Sequence, residues 1–258
     1  MMDAADYVLV HDAEGVRFIT LNRLAKANAL NAAMLDSIRQ ACASAQPDRV
    51  ALIVLRSASP TLFCAGGDIE EFVRGPALLE RQGVALRELT AAMACCPVPI
   101  LAVARGKAAG AGVILLTMTD IVIAAADLAL SCPEMAFSMY PVMVQAVLET
   151  KISSARARQL CFSGQSLDAG SARDLGLVTD VLAVAGFDGL AAQRLDYYAR
   201  RRHALAIARQ ARLMLEPPVP ALQRVLALEP LMHENYHGAG VQEAICSYLA
   251  RLGGKPGS

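Results

Sequence analysis

Apolar residues in the first half of the chain come in short runs, each of a length typical of a buried strand. Three such runs lie at 51–57, 99–104 and 120–125. Residues 7–22 hold two further β-rich runs on either side of the turn Asp12–Gly15, a pattern that predicts a β-hairpin. Because segments of helical periodicity separate these strands, the pattern favours an α/β architecture.

Helices are predicted between and after the strands. Asn31 is expected to cap a helix, since its side chain can accept a hydrogen bond from a free N–H group of the first turn. The apolar face of that helix comprises Met34, Leu35, Ile38 and Cys42. A second helix is predicted between the first two central strands, with apolar positions at Leu79, Leu86, Leu89 and Met93. After about residue 190 the pattern becomes mostly helical, with a break at EPPVPA (216–221).

Composition narrows the possible classes of protein. The 258 residues contain 24 Lys and Arg and 24 Asp and Glu, so no net charge favours nucleic acid or an anionic membrane. No apolar run reaches the 18 or so residues of a membrane span, and the first residues lack the basic region of a secretory signal. Seven cysteines without a CxxC motif argue against a disulfide framework and a thiolate zinc site. We therefore expect a soluble, cytoplasmic protein.

Two loops rich in small residues follow predicted strands, at the points where helices are expected to begin. They are FCAGGDIEEF (63–72) and RGKAAGAG (105–112). Free N–H groups at a helix start form an anion site, and two such sites side by side could hold one oxygen as an oxyanion hole. The alternative is that small residues only allow helices to pack closely on a sheet. Neither loop is a dinucleotide or triphosphate fingerprint.

Five motifs in order make the chain similar to a known group of proteins. They are LNRLAKANALN (21–31), FCAGGDIEEF (63–72), VPILAVARGKAAGAG (98–112), CPEMAFSMYP (132–141) and FSGQSLDAGSARDLGLVTDVL (162–182). The chain resembles the crotonase (enoyl-CoA hydratase/isomerase) superfamily over nearly its full length. That resemblance implies a ββα spiral core over 1–195 and a C-terminal helical region over 196–258. The latter would cover the pocket and form a homotrimer or hexamer.

The resemblance also implies the parts of an acyl-CoA site. Backbone amides of Ala65 and Ala111 would hold the thioester oxygen of an acyl-CoA as an enolate. Arg23 or Lys26 would be free to meet phosphates. Coenzyme A would enter only as part of the substrate, with no separate cofactor and no metal. The implied substrate-lining positions are Ala29, Gly66, Asp68, Ile69, Gly110, Ile114 and Tyr140.

The chain keeps only one of the two glutamates that hydratases of the superfamily use. The first position is Ile114, and the second is Glu134. Adding water needs one group to activate the water and another to deliver a proton, whereas moving a double bond needs one base that returns the proton two carbons away. The pattern therefore favours isomerisation, with apolar Ile114 raising the pKa of Glu134 by desolvation. The structural alternative for Glu134 is a surface carboxylate after Pro133.

Three other functions remain open at this point. Hydration could proceed by an unusual route in which Tyr140, His233 or water replaces the missing acid. The apolar stretch Val142–Gln145 and the pair Met232–His233 resemble polyketide β-branching members of the superfamily, which act on acyl groups carried by a carrier protein. The third alternative is an acyl-CoA binder without catalytic activity.

The segment HENYHGAGVQE (233–243) matches HExxHxxG, a zinc-protease motif. On a helix, His233 and His237 would share a face, and Glu243 could be a third ligand. Only 15 residues follow Glu243, too few for the turn that supports the metal in such proteases. We therefore expect no metal site of this kind.

Overall fold

The first strands show how the two sheets of the protein arise. In the computed structural model, which describes residues 4–74, 76–216, 223, 225–238 and 240–253, a tight turn at Glu14 and Gly15 joins two antiparallel strands. Both turn residues have positive φ, 50° and 76°, as a two-residue hairpin turn requires. The predicted hairpin is therefore confirmed, but its turn is shorter than the predicted Asp12–Gly15, because Asp12 and Ala13 pair within the first strand.

Ten strands form two sheets within the described part of the chain. They are β1 (Val8–Ala13), β2 (Val16–Leu21), β3 (Leu52–Ser57), β4 (Leu62–Cys64), β5 (Ile100–Ala104), β6 (Lys107–Ala109), β7 (Ile121–Ala125), β8 (Ala129–Ser131), β9 (Leu167–Asp168) and β10 (Asp180–Leu182). The larger sheet has the order β1-β2-β3-β5-β7-β10 and is parallel from β2 onward; the smaller has the order β4-β6-β8-β9. From β3 to β8, successive strands alternate between the two sheets, so the chain winds as a spiral.

Helices cover the sheets and extend beyond the last strand. They are α1 (Ala32–Ala43), α2 (Ile69–Val73), α3 (Pro76–Cys95), α4 (Ala111–Thr117), α5 (Val142–Leu148), α6 (Ser154–Ser163), α7 (Ala169–Asp174), α8 (Phe187–Ala199), α9 (Arg202–Leu215), α10 (Glu229–His237) and α11 (Val241–Gly253). As predicted, Asn31 caps α1, where its side chain accepts from the N–H of Met34 at 3.0 Å. The break predicted at 216–221 lies almost wholly outside the described residues.

The second small-residue loop departs from the sequence prediction. Residues Lys107–Ala109 form β6 in the smaller sheet, and helix α4 begins only at Ala111.

The three central strands lie where predicted, as β3, β5 and β7. No described helix combines the length and apolar character needed to cross a membrane.

Candidate active site

An ion pair joins the two loops that flank the main cavity. The Arg23 guanidinium donates to Asp68 Oδ2 at 2.6 Å and to the carbonyl of Ala29 at 2.9 Å. Asp68 also caps α2, accepting from the N–H of Glu70 at 3.0 Å. Both charged side chains are largely buried. The expectation that Arg23 is free to meet phosphates is therefore wrong, because its charge is already neutralised within the protein.

Asn28 holds the first of these loops in shape. Its side chain is fully buried, accepts from the N–H of Arg23, and donates to Ser57 Oγ at 2.8 Å and to the carbonyl of Phe63 at 3.0 Å. Ala27 and Asn28 both adopt positive φ, so this is a strained turn fixed by one buried amide.

The two small-residue loops meet at Gly66 and Gly110. A Cβ atom built on Gly66 would lie 3.1 Å from the carbonyl oxygen of Ala109 and 3.9 Å from the amide nitrogen of Ala111. A Cβ atom built on Gly110 would lie 3.9 Å from Cα of Gly66. Side chains at these positions would push the loops apart, which explains physically why both are glycine.

The structure corrects one of the two predicted oxyanion donors. The N–H of Ala65 donates to the carbonyl of Ala27 at 3.0 Å, so this amide is engaged within the protein. The N–H of Ala111 is the first of α4 and therefore has no acceptor inside its helix. In the described part of the chain, neither Ala111 nor Gly67 donates its N–H to another backbone group. Among the described residues, the amides of Gly67 and Ala111 are thus left without a backbone acceptor.

Glu134 lies against this pair of loops. It sits in a short 3₁₀ helix, Pro133–Phe137, directly after β8, and a Cβ atom on Gly110 would be 2.5 Å from its Oε1. Its Oε2 is buried, with no hydrogen-bond partner among the described residues. Burial raises the pKa of Glu134 from 4.5 to about 7, partly offset by its own backbone N–H. A carboxyl poised near neutrality can both take and return a proton.

An outer cavity of about 770 Å³ opens in front of Glu134. This size is ordinary for a small-molecule site. Predicted positions Ala29, Ala65, Asp68 and Ile69 line it. Two cations, Lys26 and Lys107, also line it; Lys26 is paired with Glu70 at 2.5 Å, and Lys107 is exposed.

A much smaller inner cavity, of about 70 Å³, lies on the other side of Glu134. The predicted residues Ala111, Ile114 and Tyr140 line it, and Ile114 is buried. The hydroxyl of Tyr140 donates to Oε1 of Gln145, and burial is the main cause that raises the pKa of this phenol to about 12. Tyr140 is therefore a poor proton donor near neutral pH.

Sequence reasoning missed the contribution of α10 to the inner cavity. Met232, Asn235 and Tyr236 all line it. Asn235 fixes the helix in place, because its side chain accepts from the N–H of Tyr140 and donates to the carbonyl of the same residue, both at 2.8 Å. Burial, and then the nearby Glu134 charge, raise the pKa of Tyr236 to about 12. The motifs that contain these three residues do not indicate a place at this site, since only the packing of α10 brings them to the inner cavity.

The C-terminal helix α11 closes the outer cavity in the same way. Tyr248 and Leu249 line that cavity, and the Tyr248 ring packs edge-on against Phe137 at 4.9 Å between centroids. Phe137, Met139, Val241 and Ile245 form a separate buried apolar cluster. This cluster holds the segment that carries Glu134.

Comparison with known proteins agrees with this geometry. Residues 11–254 match the enoyl-CoA hydratase/isomerase family. A probable enoyl-CoA hydratase of Rhodobacter capsulatus is 31% identical over 250 residues, covering 93% of each chain. Human enoyl-CoA delta isomerase 2 is 29% identical over 199 residues, which are 75% of this chain and 50% of that protein.

The fold has close counterparts among solved structures. An enoyl-CoA hydratase from Bacillus halodurans superimposes with a TM-score of 0.80 at 17% identity, covering 93% of this chain and 99% of the other. The predicted α/β crotonase-like fold is thereby confirmed. With a family match that spans nearly all of its residues, the chain belongs to the enoyl-CoA hydratase/isomerase family.

Proposed function

We propose that this protein shifts the double bond of an enoyl thioester, with Glu134 as the only proton carrier. The observation that carries the proposal is the position of Glu134, which lines both the outer and the inner cavity and lies against Gly110. Among the described residues that line the inner cavity, Glu134 is the only carboxylic acid. At the position where hydratases of the family hold another acid, the chain has buried Ile114.

The proposed reaction needs no second acid. In its ionised form, Glu134 takes a proton from C2 of a 3-enoyl thioester, and the electrons move onto the thioester oxygen as a dienolate. The amides of Gly67 and Ala111 stabilise this oxyanion, in the manner of an oxyanion hole. Glu134 then returns the same proton to C4, which leaves a 2-enoyl thioester and restores the carboxylate.

The two cavities suit different parts of the substrate. The outer cavity, which is lined by the exposed Lys107, suits the long and anionic coenzyme A portion. The inner cavity of about 70 Å³ is far below the roughly 300–1,000 Å³ of a typical ligand site, so only a short acyl end fits. We therefore propose short-chain acyl groups as substrates.

Turnover of matched substrates tests the proposal. We expect the wild type to convert a 3-enoyl-CoA of four to six carbons and to hydrate the corresponding 2-enoyl-CoA poorly. Glu134→Gln should lower isomerisation by a factor of roughly 10²–10⁴, the range of general acid–base catalysis. Glu71→Gln is the matched control, since Glu71 also has a buried oxygen without a hydrogen-bond partner among the described residues and a pKa raised by burial, but does not line either cavity. If Glu134→Gln keeps full isomerase activity, the proposal is wrong.

Hydration is the second candidate, favoured by the name of the relative from Rhodobacter capsulatus. Efficient hydration of 2-enoyl-CoA without isomerisation would select it. If only substrates on an acyl carrier protein react, the protein belongs with the carrier-dependent enzymes. Tight binding of acyl-CoA without turnover of any substrate would instead identify a binding protein.

A homotrimer or hexamer is also proposed. It is supported by the exposed apolar side chains at the end of α9, where Met214 and Leu215 are 81% and 82% exposed. Exposed apolar groups of this size are typical of interaction surfaces when they adjoin. Light scattering at micromolar concentration should give a mass of three or six chains; a stable monomer would exclude both.

A further inference from the structure

Helix α10 carries two histidines that face away from the inner cavity. His233 and His237 lie four residues apart, and their ring centroids are 4.3 Å apart. Glu80, near the start of α3, approaches the pair, with its Oε1 3.6 Å from Nδ1 of His233. All three side chains are exposed. The two helices therefore present three potential metal ligands at one point of their contact.

The geometry of this group suits a transition metal. One ligand atom from each of the three side chains lies within 4.8 Å of the others. Tetrahedral Zn²⁺, with ligands at about 2.0–2.2 Å, requires ligand atoms about 3.4 Å apart, so small rotations of exposed side chains would suffice. Two imidazoles and one carboxylate form a ligand set that zinc accepts, with water at the fourth position.

This set differs from the one that the sequence suggests. The motif at 233–243 offers Glu243 as the third ligand, but Glu243 lies in the first turn of α11, outside the group of converging atoms in the described residues. Glu80 takes that place and lies 153 positions before His233 in the chain. A site completed by Glu80 of α3 does not need Glu243 as a ligand.

The surroundings are open and carry charges of both signs. A cavity of about 490 Å³ adjoins the group, and its lining includes Arg87 and Tyr236 as well as the three ligands. Arg87 of α3 repels a cation, whereas Glu80 attracts one.

Other residues of α10 lie between the histidine pair and the candidate active site. Met232 and Tyr236 line both the inner cavity and the cavity beside the histidines. A Cβ atom on Gly83 of α3 would lie 3.8 Å from Cε of Met232, so the two helices are in contact. We propose that Glu80, His233 and His237 bind Zn²⁺, and that this ion fastens α10 to α3. The ion thereby holds one wall of the inner cavity without taking part in the chemistry.

Metal binding can be measured on the full chain without a histidine tag. After removal of metals with EDTA, titration with ZnCl₂ by calorimetry should give about one ion per chain. His237→Ala and Glu80→Gln should each weaken binding at least tenfold, whereas His203→Ala, an exposed histidine elsewhere, should not. Absence of binding by the wild type overturns the site. Equal binding by His237→Ala also overturns it and directs attention to the exposed thiols Cys95 and Cys246.

The fastening of α10 has a separate test that does not depend on activity. Hydrogen–deuterium exchange at residues 229–237 should slow when Zn²⁺ is added to the wild type and stay unchanged in His237→Ala. Unchanged exchange in zinc-bound wild type would overturn the fastening role. Failure of the proposed isomerase reaction is a different result, since neither measurement involves an acyl substrate.

Discussion

The carboxylate of Glu134 rests directly on the backbone of Gly110. The built Cβ position on Gly110 is only 2.5 Å from Oε1 of Glu134, a distance that real Cβ atoms essentially never show. Gly110 also has φ 48° and ψ −114°, which disfavours any other residue. One glycine thus sets both the start of α4 and the position of the proposed proton carrier.

Gly110→Ala should therefore lower turnover strongly. The new methyl group displaces the Glu134 carboxylate, and a shift of about 1 Å at a reacting group can cost roughly 10²-fold in rate. The matched control is Gly176→Ala, where φ is 82° but nothing lies within 4 Å of the new Cβ. Both substitutions place alanine at a positive φ and should lower the free energy of unfolding. Only Gly110→Ala should also lower the turnover of the folded protein. Equal turnover in the two folded variants would contradict the role of this contact.

Turnover should depend on pH through Glu134. Burial raises its pKa to about 7, and only the ionised form can take a proton from the substrate. We expect kcat/KM to fall about tenfold per pH unit below pH 7 and to level off above it. A profile measured with a 3-enoyl-CoA between pH 5 and 9 checks this. An acid limb near pH 4.5 would indicate a carboxylate that remains solvated.

The free energy of unfolding should fall as pH rises, whereas turnover should increase. Because the folded pKa lies above the ordinary value of 4.5, the folded state keeps a proton that the unfolded chain loses between these values. The stabilisation is present below about pH 4.5 and is lost as pH rises through about 7. Glu134→Gln, which cannot ionise, should show a smaller decrease in unfolding free energy over this range. Urea unfolding at pH 5 and pH 8 measures the difference.

Ile114→Glu should introduce hydratase activity by restoring a second carboxyl in the inner cavity. Ile114 lines this cavity together with Glu134 but is buried, so the change should also lower stability. Ile114→Gln is the control, since it is polar and similar in size but cannot transfer protons. Hydration of 2-enoyl-CoA by both variants, or by neither, would show that residue 114 does not set the reaction type.

Ala111→Pro removes one of the proposed oxyanion donors. Position 111 is the first residue of α4, where proline is tolerated because its N–H has no helical acceptor. Loss of one such donor typically costs about 3–4 kcal/mol of transition-state stabilisation. Ser154→Pro, at the exposed first position of α6, controls for proline at a helix start. Full activity in a folded Ala111→Pro variant, verified by circular dichroism, would exclude Ala111 as a donor.

The first hairpin and the capped helix α1 follow from the sequence alone. The turn sequence Asp12–Gly15, and Asn31 ahead of an apolar face, are local signals, because a tight turn and a helix cap each involve residues a few positions apart. The same locality explains why the central strands β3, β5 and β7 are recognisable from short apolar runs. Glu134, Ile114 and the small-residue loops were also recognisable, but by resemblance of motifs.

Relations between distant segments were decided by tertiary structure. Arg23 looked free for phosphates, yet Asp68, 45 residues away, neutralises it. Ala65 looked like an oxyanion donor, yet the carbonyl of Ala27 in the strained turn accepts its N–H, whereas the N–H of Gly67 has no backbone acceptor among the described residues. Residues 107–109 pair as β6 because β4 and β8 lie on either side, which no local pattern encodes.

The histidines of α10 combine the two kinds of information. Their spacing of four residues determines by itself that they share a helical face, because a helix turns once in 3.6 residues. Which carboxylate joins them depends on how α10 packs on α3, and the structure selects Glu80 instead of Glu243. Helical periodicity is a property of neighbouring residues, whereas the approach of Glu80 to the histidines depends on where the whole fold places α3 and α10.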